Sequence, residues 1–329
     1  MSHQNHSFNR RQMLALGAAS LAAGQMPQAW ASNAPLRFIV PFPAGGAADV
    51  MGRVIVDALK EDFTQPIIIE NRAGASTRVA AEVLKNAPPD GNTVLMTLMD
   101  TMVIAPQVYN NLRYNPEKDF APITTVADLT YGIAVNASSP YKTLDDYLKA
   151  AKKDPQVAAL GVSGLGSLLH FVAFGLIRES KVDLSIIPFQ GGALMVTNLM
   201  GNQIGSAVDG IGVFLEHHRN GKVRILAVSS KQRVGQLPDV PTFTELGYPS
   251  LVVDSGYSLY APAGTPDASI KRWNTAMRKA LSRPEVRQKI QTIGYQPTTG
   301  STPEEVELLR KRLLERWTPI VKATGYKSD

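Results

Sequence analysis

Leu36-Arg37-Phe38-Ile39-Val40-Pro41-Phe42-Pro43-Ala44-Gly45-Gly46-Ala47-Ala48-Asp49 decides the fold. Its first five residues read as a strand and residues 41–48 as a loop. From 49 to 61, Val50, Val54, Ala58 and Leu59 fall near helical spacing. A strand that ends in glycines and at once starts a helix is the repeating unit of an α/β fold. The same unit recurs outward. Residues 66–70 and 93–97 read as strands around a helix over 76–86, which Pro88-Pro89-Asp90-Gly91 ends. Segments 121–125 and 131–135 continue the β content. Thr143-Leu144-Asp145-Asp146 is a capping box opening a helix to about 153. Strands at 158–162, 185–188, 205–208 and 224–229 follow, with helices over 168–179 and after Gln190-Gly191-Gly192. Pro266 is placed at the first position of another helix, and Thr302-Pro303-Glu304-Glu305 is a second capping box. Beyond it Val306, Leu309, Leu313, Trp317 and Ile320 form one core-facing stripe. The alternation predicts mostly parallel sheet with helices on both faces.

Residues 1–31 read as an export signal. Arg10-Arg11 precede an apolar run over 13–23, and Ala29-Trp30-Ala31 has the small-x-small pattern of a signal-peptidase site. The arginine pair suits either a twin-arginine or an ordinary secretory signal. Cleavage near Ala31 leaves a mature chain from Ser32, expected in the periplasm; a retained anchor is the alternative. That segment carries two arginines and no acid, so its removal lowers the formal charge from +6 to +4. The densest basic run, Arg310-Lys311-Arg312 with Arg316, is interleaved with acids, so no nucleic-acid partner is expected. The absence of cysteine excludes disulfides, thiolate metal sites and a cysteine nucleophile. About 300 residues remain, enough for two lobes with a core each.

Three loops join a strand end to a helix start through glycines and small residues: Pro43-Ala44-Gly45-Gly46-Ala47-Ala48, Ser163-Gly164-Leu165-Gly166-Ser167 and Gln190-Gly191-Gly192-Ala193. Unpaired N–H groups and the helix dipole make such starts seats for an anionic oxygen. In an open sheet they line the crevice at the carboxyl ends of the strands. Each alone is what any strand-to-helix turn needs; together they point to an anion clamp. Enzymatic motifs fail on spacing. Gly161-Val162-Ser163-Gly164-Leu165 has leucine where a nucleophile elbow needs glycine. Gly164-Leu165-Gly166-Ser167-Leu168-Leu169 lacks the third glycine of a dinucleotide fingerprint. Beyond the leader the histidines are His170, His217 and His218, without carboxylates at ligand spacing, so neither metal nor cofactor is expected. His170 either bonds a ligand or packs in its lobe. A small-molecule hydrolase or transferase using Ser163 and His170 stays open as the alternative to a binder.

Taken in order, several segments resemble signatures of the Bug family, the extracytoplasmic binding proteins of tripartite tricarboxylate transporters. They are residues 40–49, Glu70-Asn71-Arg72-Ala73-Gly74-Ala75, residues 87–93, residues 161–170, Pro188-Phe189-Gln190-Gly191, residues 237–242 and residues 260–266. The resemblance spans the mature chain. It implies an α/β type II periplasmic-binding-protein fold: two lobes joined by two crossing strands, closing on a carboxylate without catalysis. Residues 32–129 with 251–329 are then one lobe and 130–250 the other. It further implies that loops 43–49, ending on Asp49, and 163–167 grip one carboxylate through N–H groups, hydroxyls and bridging waters. Asp209 matches a cleft position, where it either meets ligand or caps a loop. The implied partners are a small carboxylate and an inner-membrane permease, with the receptor a monomer; an orphan sensor is a further alternative.

Two departures from the family bear on the ligand. Where the family continues Gly-Gly-Asn after Gly74-Ala75, this chain has Ser76-Thr77-Arg78. The fork of Arg78 suits a second acid group and hence a dicarboxylate; a solvated surface arginine is the alternative. At Leu98-Met99-Asp100-Thr101-Met102 the family tends to small polar residues. Asp100 and Thr101 become candidate cleft residues, and Met99 and Met102 are either an apolar wall for a ring-bearing ligand or core. The two departures favour an apolar-bodied or aromatic dicarboxylate.

Overall fold

The computed structural model describes residues 34–253 and 255–328, so the export signal and its cleavage site lie outside the described residues. Strand β1 (Leu36–Val40) pairs in parallel with β2 (Ile67–Asn71) and β3 (Thr93–Leu98). Beyond β3 the sheet turns antiparallel. There β10 (Gly256–Pro262) lies between β3 and β4 (Phe120–Asp128), and the short β11 (Gln296–Pro297) closes the edge. The second sheet repeats the plan. In it β6 (Ala159–Val162) lies in parallel between β7 (Ser185–Pro188) and β8 (Ser206–Gly210), followed by antiparallel β5 (Tyr131–Asn136) and β9 (Val223–Val228). The expectation of mostly parallel sheet is therefore corrected: each sheet is mixed. A parallel trio carries the glycine loops, and strands that pass from sheet to sheet enter against its direction.

Two segments cross between the sheets, one at Leu129 and Thr130, the other from β9 back to β10. They run side by side. Leu129 N–H donates to Ser255 O at 2.9 Å, and Ser229 N–H to Tyr131 O at 2.8 Å. Gly256 is required there, since a Cβ would stand 2.0 Å from the Ala127 carbonyl oxygen.

Helix α1 (Ala47–Leu59) buries Met51, Ile55 and Leu59, while Val50 and Val54 flank that stripe. The buried face is thus rotated by about one residue from the expected one. The helix expected over 76–86 is split: Ala75–Thr77 form a left-handed turn, and α2 (Arg78–Lys85) follows. The short α3 (Asp100–Val103) and α4 (Ala105–Val108) come next, then α5 (Leu144–Ala151), α6 (Leu168–Ser180), α7 (Gly192–Met200) and α8 (Ile211–Arg219). Both capping boxes form, Thr143 with Asp146 and Thr302 with Glu305. Pro266 is the N-cap of α9 (Asp267–Ser282), one place earlier than expected. After α10 (Pro284–Thr292), helix α11 (Pro303–Thr324) buries Val306, Leu313 and Trp317, with Arg310 and Val321, and leaves Leu309 and Ile320 half-buried. It packs on β4, α3 and α6, and so ties the two sheets together. Among the described residues no helix is long and apolar enough to cross a membrane.

Candidate functional site

A cavity of about 460 Å³ lies between the sheets. On the first side its wall begins where β1 gives way to α1. Asp49 holds that loop: one carboxylate oxygen accepts from Gly45 N–H and Arg53 Nε, both at 2.9 Å, and the other from Asn71 Nδ2 at 2.9 Å. The Arg53 guanidinium, helped by Gly45 and Asn71 against the push of burial, lowers the Asp49 carboxyl to about 2. Asp49, Ala44 and Gly45 therefore shape the loop from outside the cavity lining, whereas Pro43, Gly46, Ala47 and Ala48 line it. The N-cap of α1 is Gly46, which has no side chain to cap it. The first residues of α1, Ala47 and Ala48, line the cavity, so the positive end of the helix dipole lies at its wall.

The neighbouring turn contributes Ser76 and Thr77. Thr77 shares a 2.5 Å hydroxyl contact with Thr101, which in turn reaches Thr97 at 2.9 Å, so Thr101 braces the turn from behind the lining. Arg78 is also outside the lining. Its Nε donates to Ala75 O at 2.9 Å, and its guanidinium lies 3.5 Å from the centroid of the Tyr109 ring. Met99 and Met102 are fully buried core and form no ligand wall. Between them Asp100 does line the cavity and reaches across it: one oxygen accepts from Leu168 N–H of α6 at 2.8 Å. Burial raises its carboxyl to about 6, with the Leu168 donor pulling the other way.

On the second side Ser163, Gly164 and Ser167 line the cavity. Gly166 (φ 72°) does not; it packs against Val108 and Tyr326. His170 Nδ1 accepts the Gly166 N–H at 3.1 Å, and its ring sits among Phe171, Phe174 and Tyr326. Burial pushes its pKa down to about 4, so it is a neutral acceptor that fixes the loop. Gln190 and Gly191 are exposed and outside the lining; the next residue, Gly192, lies close to Asp209, where a Cβ would come 3.0 Å from Oδ2. Asp209 itself lines the cavity and accepts the Gly210 N–H at 2.7 Å; burial raises it to about 6, with Ser163 and Gly210 opposing.

Sequence reasoning missed the apolar and aromatic part of the wall. Phe42, Tyr131, Tyr257 and Tyr295 enclose the cavity, with Val213 at the start of α8. Gly210 followed by Ile211 and Gly212 carried the same strand-to-helix signal as the other three loops, and could have identified α8. The tyrosines had no local signal, because strands far apart in sequence bring them together. Tyr257 and Tyr295 meet edge to face at 5.4 Å.

Residues 51–326 match the family model described as "Tripartite tricarboxylate transporter family receptor". The periplasmic binding protein BugD superposes with a TM-score of 0.79 at 27% identity, covering 90% of this chain and 99% of its own. MatC of Rhodopseudomonas palustris, solved with bound malate, gives 0.76 at 29% identity over 87% of this chain and 98% of its own. A second R. palustris protein, solved with adipate, gives 0.81 at 27% identity over 91% and 99%.

Proposed function

Because this chain belongs to the tripartite tricarboxylate transporter receptor family, we propose that it captures a small carboxylate in the cleft and delivers it to an inner-membrane permease of that transporter class. Members are periplasmic solute-binding proteins and not enzymes, which sets aside the catalytic use of Ser163 and His170. The observation that carries the proposal is the uncapped start of α1, whose Gly46, Ala47 and Ala48 face the cavity. It offers N–H groups and dipole to one carboxylate, and Ser163 and Ser167 stand across the cleft to complete the grip. Malate and adipate in two relatives support a dicarboxylate in particular. A second acid group would draw on the terminal nitrogens of Arg78, one residue beyond the lining Thr77, whose Nε donates to Ala75 O.

Titration of the mature protein with aliphatic and aromatic mono- and dicarboxylates tests this. A ligand at a hundred times its Kd should stabilise the fold by about 2.7 kcal/mol, read as a rise in Tm. Ala47→Asp puts a competing carboxylate at the α1 start and should abolish the response while leaving a folded protein. A response confined to dicarboxylates and lost in Arg78→Ala would support the second seat. Silence across the whole panel would refute carboxylate capture.

A further inference from the structure

We propose that the cleft selects a ligand carrying a protonated amine as well as its carboxylate, with Asp100 and Asp209 reading the amine. This rests on the carboxylate reading above and adds the ligand's other end. Asp100 and Asp209 face one cavity, with residue exposures of 9% and 8%. Each uses one oxygen on a backbone N–H, of Leu168 and of Gly210. The other oxygens, Oδ1 of Asp100 and Oδ2 of Asp209, are buried and have no backbone or cationic donor; beside Asp209 stands only the neutral Ser163 hydroxyl. Among the described lining residues no lysine, arginine or histidine stands by to neutralise them. The groups that face them are Tyr131, Tyr257, Tyr295 and the Ser163 hydroxyl, none of them cationic.

Buried acceptors left empty are costly, and what satisfies them is a donor. An ionised carboxylate, its one charge shared by both oxygens, only accepts; an ammonium brings three donors and the missing charge. Asp100 also occupies the start of α6, so a second ligand carboxylate finds that anion seat already filled. The ligand's acid therefore goes to α1 and its amine to the aspartate pair. The raised carboxyl pKa of both aspartates, caused first by burial, fits groups that lack a counter-charge until ligand arrives.

Calorimetric titration of the mature chain with matched pairs tests the assignment: hexanoate against 6-aminohexanoate, and adipate against 2-aminoadipate, at pH 7.5 and pH 5. The amine-bearing member should bind about tenfold tighter at pH 7.5. That advantage should shrink at pH 5, where the aspartates hold protons. Asp100→Asn and Asp209→Asn, each checked for an unchanged circular dichroism spectrum, should cut it to about threefold or less. Equal or tighter binding of the amine-free member at pH 7.5 overturns the proposal, as does adipate binding that strengthens at pH 5 with no amine preference at pH 7.5. Hexylamine binding as tightly as 6-aminohexanoate supports the amine site and overturns only the carboxylate seat at α1. Binding by none of these compounds overturns both.

Discussion

Three buried acids in this protein behave in opposite ways because of what surrounds each. Asp49 has Arg53, Gly45 and Asn71 as donors and is held at about 2. Its contribution to stability is present above the ordinary carboxylate range and is lost as pH falls toward 2. Asp100, with the N–H groups of Leu168 and of its own residue, and Asp209, with the Gly210 N–H and the Ser163 hydroxyl, lack a cationic partner, and burial raises both from 3.8 to about 6. For them the sign reverses: the folded state binds more protons between those values, so stability is greatest below the unfolded pKa and is lost as pH rises through 6. Asp209→Asn should therefore leave the ligand-free protein about as stable at pH 4 and make it more stable at pH 8, by at most about 3 kcal/mol. Thermal denaturation at the two pH values checks this; an equal change at both would refute the linkage. His170 opposes the pair. Lowered to about 4 by burial, it contributes stability above 6.5 that is lost as pH falls through 4.

At the scale of elements, the capping boxes and the left-handed turn make separable contributions. Thr302 accepts from Glu305 N–H at 3.2 Å and starts the helix that braces both sheets. Thr302→Ala should cost about 1 kcal/mol in chemical denaturation and leave ligand affinity unchanged, since Thr302 is remote from the cavity lining. The turn at Ala75, Ser76 and Thr77 has φ of 46°, 51° and 74°, a region that disfavours side chains. Ser76→Gly should raise stability by about 1 kcal/mol, measured in the same way; a loss would show that the Ser76 hydroxyl outweighs the strain. The strand–loop–helix units were legible in the sequence because period and punctuation coincide there. The four-residue helices α3 and α4 were not, since so short a helix shows no period. Without them Asp100 could be named as a candidate but not aimed.

At the scale of the whole molecule, the hydrogen bond from Leu168 to Asp100 joins one side of the cleft to the other. We expect this bond to hold the two sides of the cleft together before ligand arrives. Asp100→Ala removes the acceptor, so small-angle scattering of the ligand-free protein should give a larger radius of gyration. Asp100→Asn, which keeps an acceptor, should match the parent. Identical curves for all three would mean that α11 and the crossing segments hold the lobes unaided.

The sequence by itself determined the α/β units, the two capping boxes, the loops at the carboxyl ends of the strands and the family, because each is written in neighbouring residues. Tertiary structure decided which loop residues face the cavity. Pro43, Gly46, Ala47, Ala48, Asp100, Ser163, Gly164, Ser167 and Asp209 line it, while Asp49, Thr101 and His170 support it from behind. It also decided that Arg78 lies on Tyr109 and that Met99 and Met102 are core. The reason is physical. Helix and strand follow from local periodicity, but the direction of a side chain and the partner of a buried charge depend on chain segments distant in sequence. Leu168 lies 68 residues from the aspartate that takes its N–H.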